Sequence, residues 1–209
     1  MKINEIFYSI QGEGKGTGHP NIFIRTTGCN LRCQYCDTKY AYEDGKEMSI
    51  NEIIKQISQY PCKHVCITGG EPLLQGDMLD LINALSKNKY NICIETNGSI
   101  DIGNISKCRS LLISLDIKCP SSEMHKNNYL QNISLLKKDD QLKFIIKDRK
   151  DYEYAKKILR EYEPSCTVFF QPVWGIDSRN LAEWIIQDNL DVKLGLQLHK
   201  IIWGDRRGV

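Results

Sequence analysis

Cys29, Cys33 and Cys36 stand close together in the run GCNLRCQYCDT, spaced C-x3-C-x2-C. Three thiolates at that spacing could hold three irons of a 4Fe–4S cubane. The local sequence offers no fourth cysteine, so one iron would stay open to an outside molecule. Clusters that only carry electrons normally have four cysteine ligands, so an open corner points to chemistry at the iron. Gly28, Asn30 and Arg32 make the run a polar loop, a poor place for three core thiols. Zinc is the competing reading, because thiolates suit it as well. Structural zinc usually takes paired C-x2-4-C knuckles and four ligands, and no second knuckle is visible.

Other polar residues have ligand-binding chemistry. In Ser9-Ile10-Gln11-Gly12-Glu13-Gly14, Gln11 and Glu13 offer a planar amide and a carboxylate to a heterocycle with several N–H donors; the plain alternative is a glycine-rich hairpin loop. Arg25, just before the cysteine loop, could grip a carboxylate in bidentate fashion, or be one half of an ion pair at a strand end. Thr38 places a hydroxyl two residues past Cys36. Magnesium keeps several waters and takes few protein ligands, so one threonine oxygen plus substrate oxygens could hold it.

These residues need a scaffold, and the sequence alternates strand and helix. Apolar, β-branched runs begin at Asn21, Val65, Asn91, Leu111, Leu142, Thr167 and Val192. The N-terminal run MKINEIFYSIQGEG reads as a further small strand. Between several of them lie helical patterns. Ser49 followed by Glu52 forms a capping box ahead of Ile53, Ile54 and Ile57. Met78, Leu79, Ile82 and Leu85 keep the helical period, as do Tyr154, Ile158 and Leu159, and Leu181, Trp184, Ile185 and Ile186. Strand–helix repetition predicts an α/β fold with a parallel sheet and helices outside. At 209 residues the chain is short for a complete eight-fold barrel of ~250. The expected fold is a partial, open TIM-like barrel of about six β/α repeats in a single domain, residues 1–209. A doubly wound open sheet is the alternative. In either fold, active-site residues sit at the C-terminal ends of the strands. The cysteine loop, Gly69-Gly70-Glu71-Pro72, Glu95-Thr96-Asn97-Gly98, Asp116-Ile117-Lys118, Gln171-Pro172 and Gln197 with His199 and Lys200 all fall there, and together would form one polar rim.

The net charge is +2 with only short basic runs, which argues against nucleic acid as a partner. No apolar run approaches the ~20 residues needed to span a bilayer. The first residues lack a signal-peptide h-region, so the protein is expected to be cytoplasmic. Nine cysteines, an odd number without a secretory signal, argue against a disulfide framework. Cys62, Cys66, Cys93, Cys108, Cys119 and Cys166 show no compact spacing. Cys66 and Cys93 lie in apolar strand runs and read as buried thiols.

The triad with Tyr35 at its aromatic position, C-x3-C-x-aromatic-C, resembles the signature of the radical S-adenosylmethionine superfamily, where the cofactor's amino and carboxylate groups chelate the open iron. Gly69-Gly70-Glu71-Pro72 resembles its GGEP motif, which turns backbone carbonyls toward the methionine ammonium; glycines allow that approach. SIQGEG, RTTGCNLRCQYCDT, TGGEPLLQ, ETNGS, DIKCPSS, FQP and QLHK are together similar, nearly end to end, to the 7-carboxy-7-deazaguanine synthase family. QGEG and CDT are the pieces the wider superfamily does not share.

The resemblance implies a lyase that uses a 4Fe–4S cluster, S-adenosyl-L-methionine and Mg2+. It implies that 6-carboxy-5,6,7,8-tetrahydropterin is contracted to 7-carboxy-7-deazaguanine with loss of ammonia, in 7-deazapurine (queuosine or archaeosine) biosynthesis. A flavodoxin- or ferredoxin-type electron donor and a homodimer belong to the same picture. Cys29, Cys33 and Cys36 would hold the cluster and Thr38 the magnesium. Cofactor contacts would come from Tyr35, Cys36, Asp37, Gly70, Glu71, Gly98, Asp116, Ile117, Lys118, Gln171, Pro172, Val173 and Trp174. Substrate contacts would come from Ile10, Gln11, Gly12, Glu13, Arg25, Thr96 and His199. Many relatives carry SPK where this chain has Asp116-Ile117-Lys118, so the serine's role passes to Asp116, or to Ser114. Two other readings compete: a glycyl-radical-enzyme activase, and a non-enzymatic iron–sulfur or zinc-binding module.

Overall fold

The computed structural model describes residues 1–209. Its centre is one nine-stranded sheet. The longest strand is the first, β1 (Lys2–Ile10), which runs antiparallel to β2 (Pro20–Thr26) and carries the two-residue β3 (Lys46–Glu47) on its outer side. From β2 onward the sheet is parallel: β4 (His64–Gly69), β5 (Asn91–Thr96), β6 (Leu111–Ile117), β7 (Gln141–Ile146), β8 (Thr167–Pro172) and the two-residue β9 (Lys193–Leu194) follow in spatial order. β3 and β9 are the two edges and do not pair, so the barrel is open. This is the expected partial barrel, with β1 larger than the small strand predicted there.

The helices form where the sequence pattern places them. α1 (Ile50–Ile57) starts at the Ser49–Glu52 capping box, which satisfies two backbone donors reciprocally, and buries Ile53 and Ile57. α2 (Met78–Lys87) buries Met78, Leu81, Ile82 and Leu85, while Leu79 faces out. α3 (Arg149–Tyr162) is capped by Asp148, and α4 (Arg179–Gln187) buries Leu181 but leaves Ile186 exposed. Two crossovers contain no α-helix. The β5–β6 connection is a set of turns anchored by Ile102 and Ile105, and β6–β7 is a chain of 3-10 turns anchored by Ile133 and Leu136. The strand expected from Val192 shrinks to Lys193–Leu194. Gln197, His199 and Lys200 sit instead at the start of α5 (Leu198–Trp203), with Lys200 buried on it. No helix is long and apolar enough to cross a membrane.

Strand alternation sorts the side chains. One parity packs against the helices in a single core: Ile22 and Ile24, Val65 and Ile67, Ile92 and Ile94, Ile113 and Leu115, Leu142 and Phe144, Val168 and Phe170. The other parity faces the barrel interior, and there the residues turn polar: Arg25, Thr68, Glu95, Asp116, Lys143 and Gln171 line the cavity at the strands' C-terminal end.

Candidate functional site

The cavity measures about 520 Å³, within the range of small-molecule sites. The cysteine loop forms one wall. Gly28 has a left-handed φ of 97° and accepts a hydrogen bond from Glu71 N on its carbonyl at 2.7 Å. A side chain at Gly70 would collide with that same carbonyl and with Cys29. Gly70 is therefore required so that the end of β4 can lie against the cluster loop. Leu31 is buried and pins the loop. Cys29 Sγ accepts from Leu31 N at 3.4 Å and from Asn97 Nδ2 at 3.8 Å.

All three sulfurs border the cavity and all three residues are half-buried. Burial pushes the Cys29 and Cys33 thiols up, so a metal that binds there must displace protons. Cys66, Cys93 and Glu95 bring their ligand atoms within 4.8 Å of one another across β4 and β5. The triad's three residues open on one cavity with no fourth cysteine in their loop, which fits a metal group with an open site better than a closed four-ligand zinc. Cys66 and Cys93 face one another across β4 and β5 on the interior parity; Cys66 is a buried thiol, as its apolar run suggests, and Cys93 is half-buried.

Beside the cysteines the cavity offers unsatisfied polar atoms, one from the cysteine loop and two from β6 and β8. Tyr35 Oη, Asp116 Oδ1 and Gln171 Oε1 are buried without a partner, and all three residues line the cavity. Asp116 Oδ2 accepts from Lys118 Nζ at 2.9 Å. Burial works against the Lys118 charge, yet Asp116 and its neighbours hold its ammonium well above the usual range. Orphaned buried polar atoms need a partner, and acceptors spaced along β6 and β8 suit the hydroxyls and amine of a nucleoside. Pro172, Val173 and the half-exposed Trp174 extend this wall to the rim.

Three residues predicted to touch the cofactor do not line the cavity. Glu71 is fully buried behind it, and its carboxylate accepts from Thr96 Oγ1 at 2.9 Å, Asn97 N at 2.7 Å and Leu73 N at 3.0 Å. That group is used up in tying the ends of β4 and β5 together. Ile117 lies on the core parity and packs under the helices. Gly98 serves a left-handed turn, φ 72°, and its carbonyl accepts from Tyr129 N and Asn132 Nδ2.

The QGEG loop closes the far end. Ile10, Gln11, Gly12 and Glu13 line the cavity, and Gly12 lacks the side chain that would strike the His199 ring. Glu13 accepts from Gln197 Nε2 at 2.9 Å and from Lys143 Nζ at 2.7 Å; the same Nζ reaches Glu95 at 2.9 Å. Burial opposes the Glu13 charge, but Lys143 and Gln197 outweigh it and hold the carboxyl below its ordinary range. Arg25 gives its Nε to Glu5 at 2.8 Å and lies between the Phe7 and Tyr40 rings. Its two terminal nitrogens make no hydrogen bond within the protein, which leaves a free guanidinium edge. Thr96 also borders the cavity, with its hydroxyl given to Glu71. Thr38 donates its proton to Asp37 Oδ1 at 2.9 Å, which leaves the oxygen's lone pairs for a cation. Asp37 Oδ2 in turn meets Lys200 Nζ at 2.6 Å, so α5 is tied to the cysteine loop.

Sequence reasoning missed Glu5 and Lys143 as parts of this site, and it placed Glu95, Gln197 and Lys200 on the polar rim without giving them a role. Lys143 carried a signal: a lysine in the middle of the apolar strand Gln141–Ile146 is rarely buried unless paired.

The profile of the Radical SAM superfamily matches residues 23–163. The chain is similar to the 7-carboxy-7-deazaguanine synthase of Thermoplasma acidophilum, with 41% identity over 209 residues covering 100% of each chain. It is similar to the enzyme of the same name from Methanospirillum hungatei, with 40% identity over 97% of this chain and 85% of that one. Among solved structures it resembles QueE from Escherichia coli, with a TM-score of 0.78, 28% identity and coverage of 95% and 94%. The S-adenosylmethionine-bound structure of Streptococcus suis SuiB shares the fold, with a TM-score of 0.61 at 13% identity, over 82% of this chain and 48% of that one.

Proposed function

The chain belongs to the Radical SAM superfamily and, within it, to the 7-carboxy-7-deazaguanine synthases, and from that premise we propose how its residues divide the reaction. The reaction is the ring contraction of 6-carboxy-5,6,7,8-tetrahydropterin to 7-carboxy-7-deazaguanine with release of ammonia, a step of 7-deazapurine biosynthesis. Cys29, Cys33 and Cys36 hold a 4Fe–4S cluster, which with S-adenosylmethionine supplies a carbon-centred radical when both are bound. Tyr35 from the cysteine loop and Asp116, Lys118, Gln171 and Trp174 from the β6–β8 wall orient the cofactor. Gly70 lines the cavity at the end of β4, with Glu71 and Gly98 behind the lining.

The substrate end is the QGEG loop with Arg25. Gln11 and Glu13 accept from the pterin's N–H edge, and the free edge of Arg25 takes the carboxylate. Gly12 and Thr96 bound the ring space, and His199 closes it. Thr38 offers one neutral oxygen to magnesium, whose charge would sit at the substrate carboxylate. A radical centre requires that the mouth be closed to water during turnover. No second cysteine set of cluster spacing exists, so an outside one-electron donor of flavodoxin or ferredoxin type completes the reading. A cytoplasmic homodimer is part of it too, and the exposed Ile186, Ile201 and Ile202 offer apolar surface for a second copy.

The observation that carries the proposal is one cavity joining the cysteine triad to a free arginine edge and a held carboxylate. The deciding experiment is anaerobic turnover of reconstituted protein with the tetrahydropterin, S-adenosylmethionine, magnesium and a reductant, read by mass spectrometry. Product lighter than the substrate by one ammonia is expected. Cofactor cleavage with intact tetrahydropterin would instead favour an activase acting on a protein.

A further inference from the structure

Two carboxylates reach the substrate end of the cavity from separate elements, Glu13 from the loop after β1 and Glu95 from β5. Between them lies one ammonium. Lys143 Nζ, with a side chain only 6% exposed, is 2.7 Å from Glu13 Oε2 and 2.9 Å from Glu95 Oε2. No other cation contacts either carboxylate. Two acids sharing one enclosed site without a cation cannot both stay charged; one takes a proton. A protonated carboxyl presents a donor where an N–H edge needs an acceptor. The remaining capacity of the pair is suited to that edge: Glu95 Oε1 has no protein donor, and Glu13 keeps lone pairs beyond its bonds to Lys143 and Gln197.

We propose that Lys143 is a positioning residue for substrate recognition, which keeps Glu13 and Glu95 as a fixed pair of charged acceptors for the N–H edge of the pterin. This rests on the functional reading above. The other titratable groups facing the trio are Asp116 from β6, Cys93 from β5 and His199 from α5.

The test uses reconstituted holoenzyme and the variants Lys143→Met, Lys143→Arg and the double variant K143M/E95Q. Anaerobic calorimetry reads the Kd for the tetrahydropterin between about pH 6 and pH 8.5, and cofactor cleavage without substrate is measured alongside. Wild type should bind evenly across the range. K143M should bind at least ~10-fold more weakly at the acid end and recover as pH rises and the shared proton leaves. Lys143→Arg should restore most of the affinity. K143M/E95Q removes the competing charge, so it should fold where K143M does not and lose the pH dependence. Cofactor cleavage should hold within about twofold throughout. A uniform loss at every pH, or none, would overturn the proposal and leave Lys143 a packing residue. If wild type itself fails to bind the tetrahydropterin, the functional reading falls. An infrared titration of substrate-free holoenzyme then decides Lys143 separately: absence of a new protonated carboxyl band in K143M refutes it.

Discussion

Replacing Cys29, Cys33 or Cys36 by alanine removes one of three sulfurs on a loop that Gly28 and Leu31 hold against the end of β4. Each change should abolish product formation and cut iron well below about four per chain. Cys62→Ala and Cys108→Ala should leave both intact, because neither residue borders the cavity. Colorimetric iron and product assays on the five proteins decide this, and a fully active triad variant would remove the central claim. Thr38→Ala should slow ring contraction more than cofactor cleavage and abolish any response to magnesium. A rate indifferent to metal depletion in wild type would reduce the CDT run to a loop. At this scale the sequence was legible where function is carried by spacing, as in the triad. It was opaque where function is carried by partners. Glu71 reads as a ligand within GGEP, yet three hydrogen bonds from Leu73, Thr96 and Asn97 consume it. Lys143 stood out in the sequence only as a lysine in an apolar strand, and its role was hidden because its two partners lie 130 and 48 positions away.

Glu71 links two elements, the end of β4 and the turn after β5, and its loss should be felt as slack between them. Glu71→Ala leaves a hydroxyl and two backbone N–H groups buried without an acceptor, at about 1–3 kcal/mol for each group left unpaired. The expected result is a clearly lower urea midpoint together with weaker cofactor binding, since Gly70 and Asn97 share this joint. An unchanged midpoint would mean the joint is held by packing alone. The alternation of strands was readable from apolar runs and so was α1, whose cap lies in adjacent residues. The β5–β6 and β6–β7 crossovers were not, because turns anchored by single isoleucines carry no period. The last strand failed for a related reason: Val192 to Leu198 is apolar enough for a strand, but after Leu194 the chain turns into α5, where Lys200 reaches Asp37.

For the molecule as a whole, ligand and proton are the levers on stability. S-adenosylmethionine at a hundred times its Kd should add about 2.7 kcal/mol. For a chain of this size that is a rise of about 5–10 °C in Tm. Differential scanning fluorimetry should show the rise in cluster-loaded protein and lose it in the triad variants. Acid acts through Glu13 and Asp37. Burial would raise both carboxyls, but Lys143 holds the first and Lys200 the second below the ordinary range. A carboxyl depressed on folding stabilises above its unfolded value, near pH 4, and that contribution fades as pH falls through the folded value. Lys200→Met should therefore flatten the acid limb of Tm against pH; an unchanged limb would show that the Asp37 pair contributes nothing. The edges of the sheet bear on a different matter, the behaviour of concentrated protein. An exposed strand is a template on which another chain can polymerise. Here β3 and β9 are each two residues long and carry Lys46, Glu47 and Lys193, but β3 covers only Lys2 and Ile3, so the outer side of β1 from Asn4 to Ile10 has no strand partner. That stretch is the length of edge open to another chain, and it is where concentrated protein would associate first.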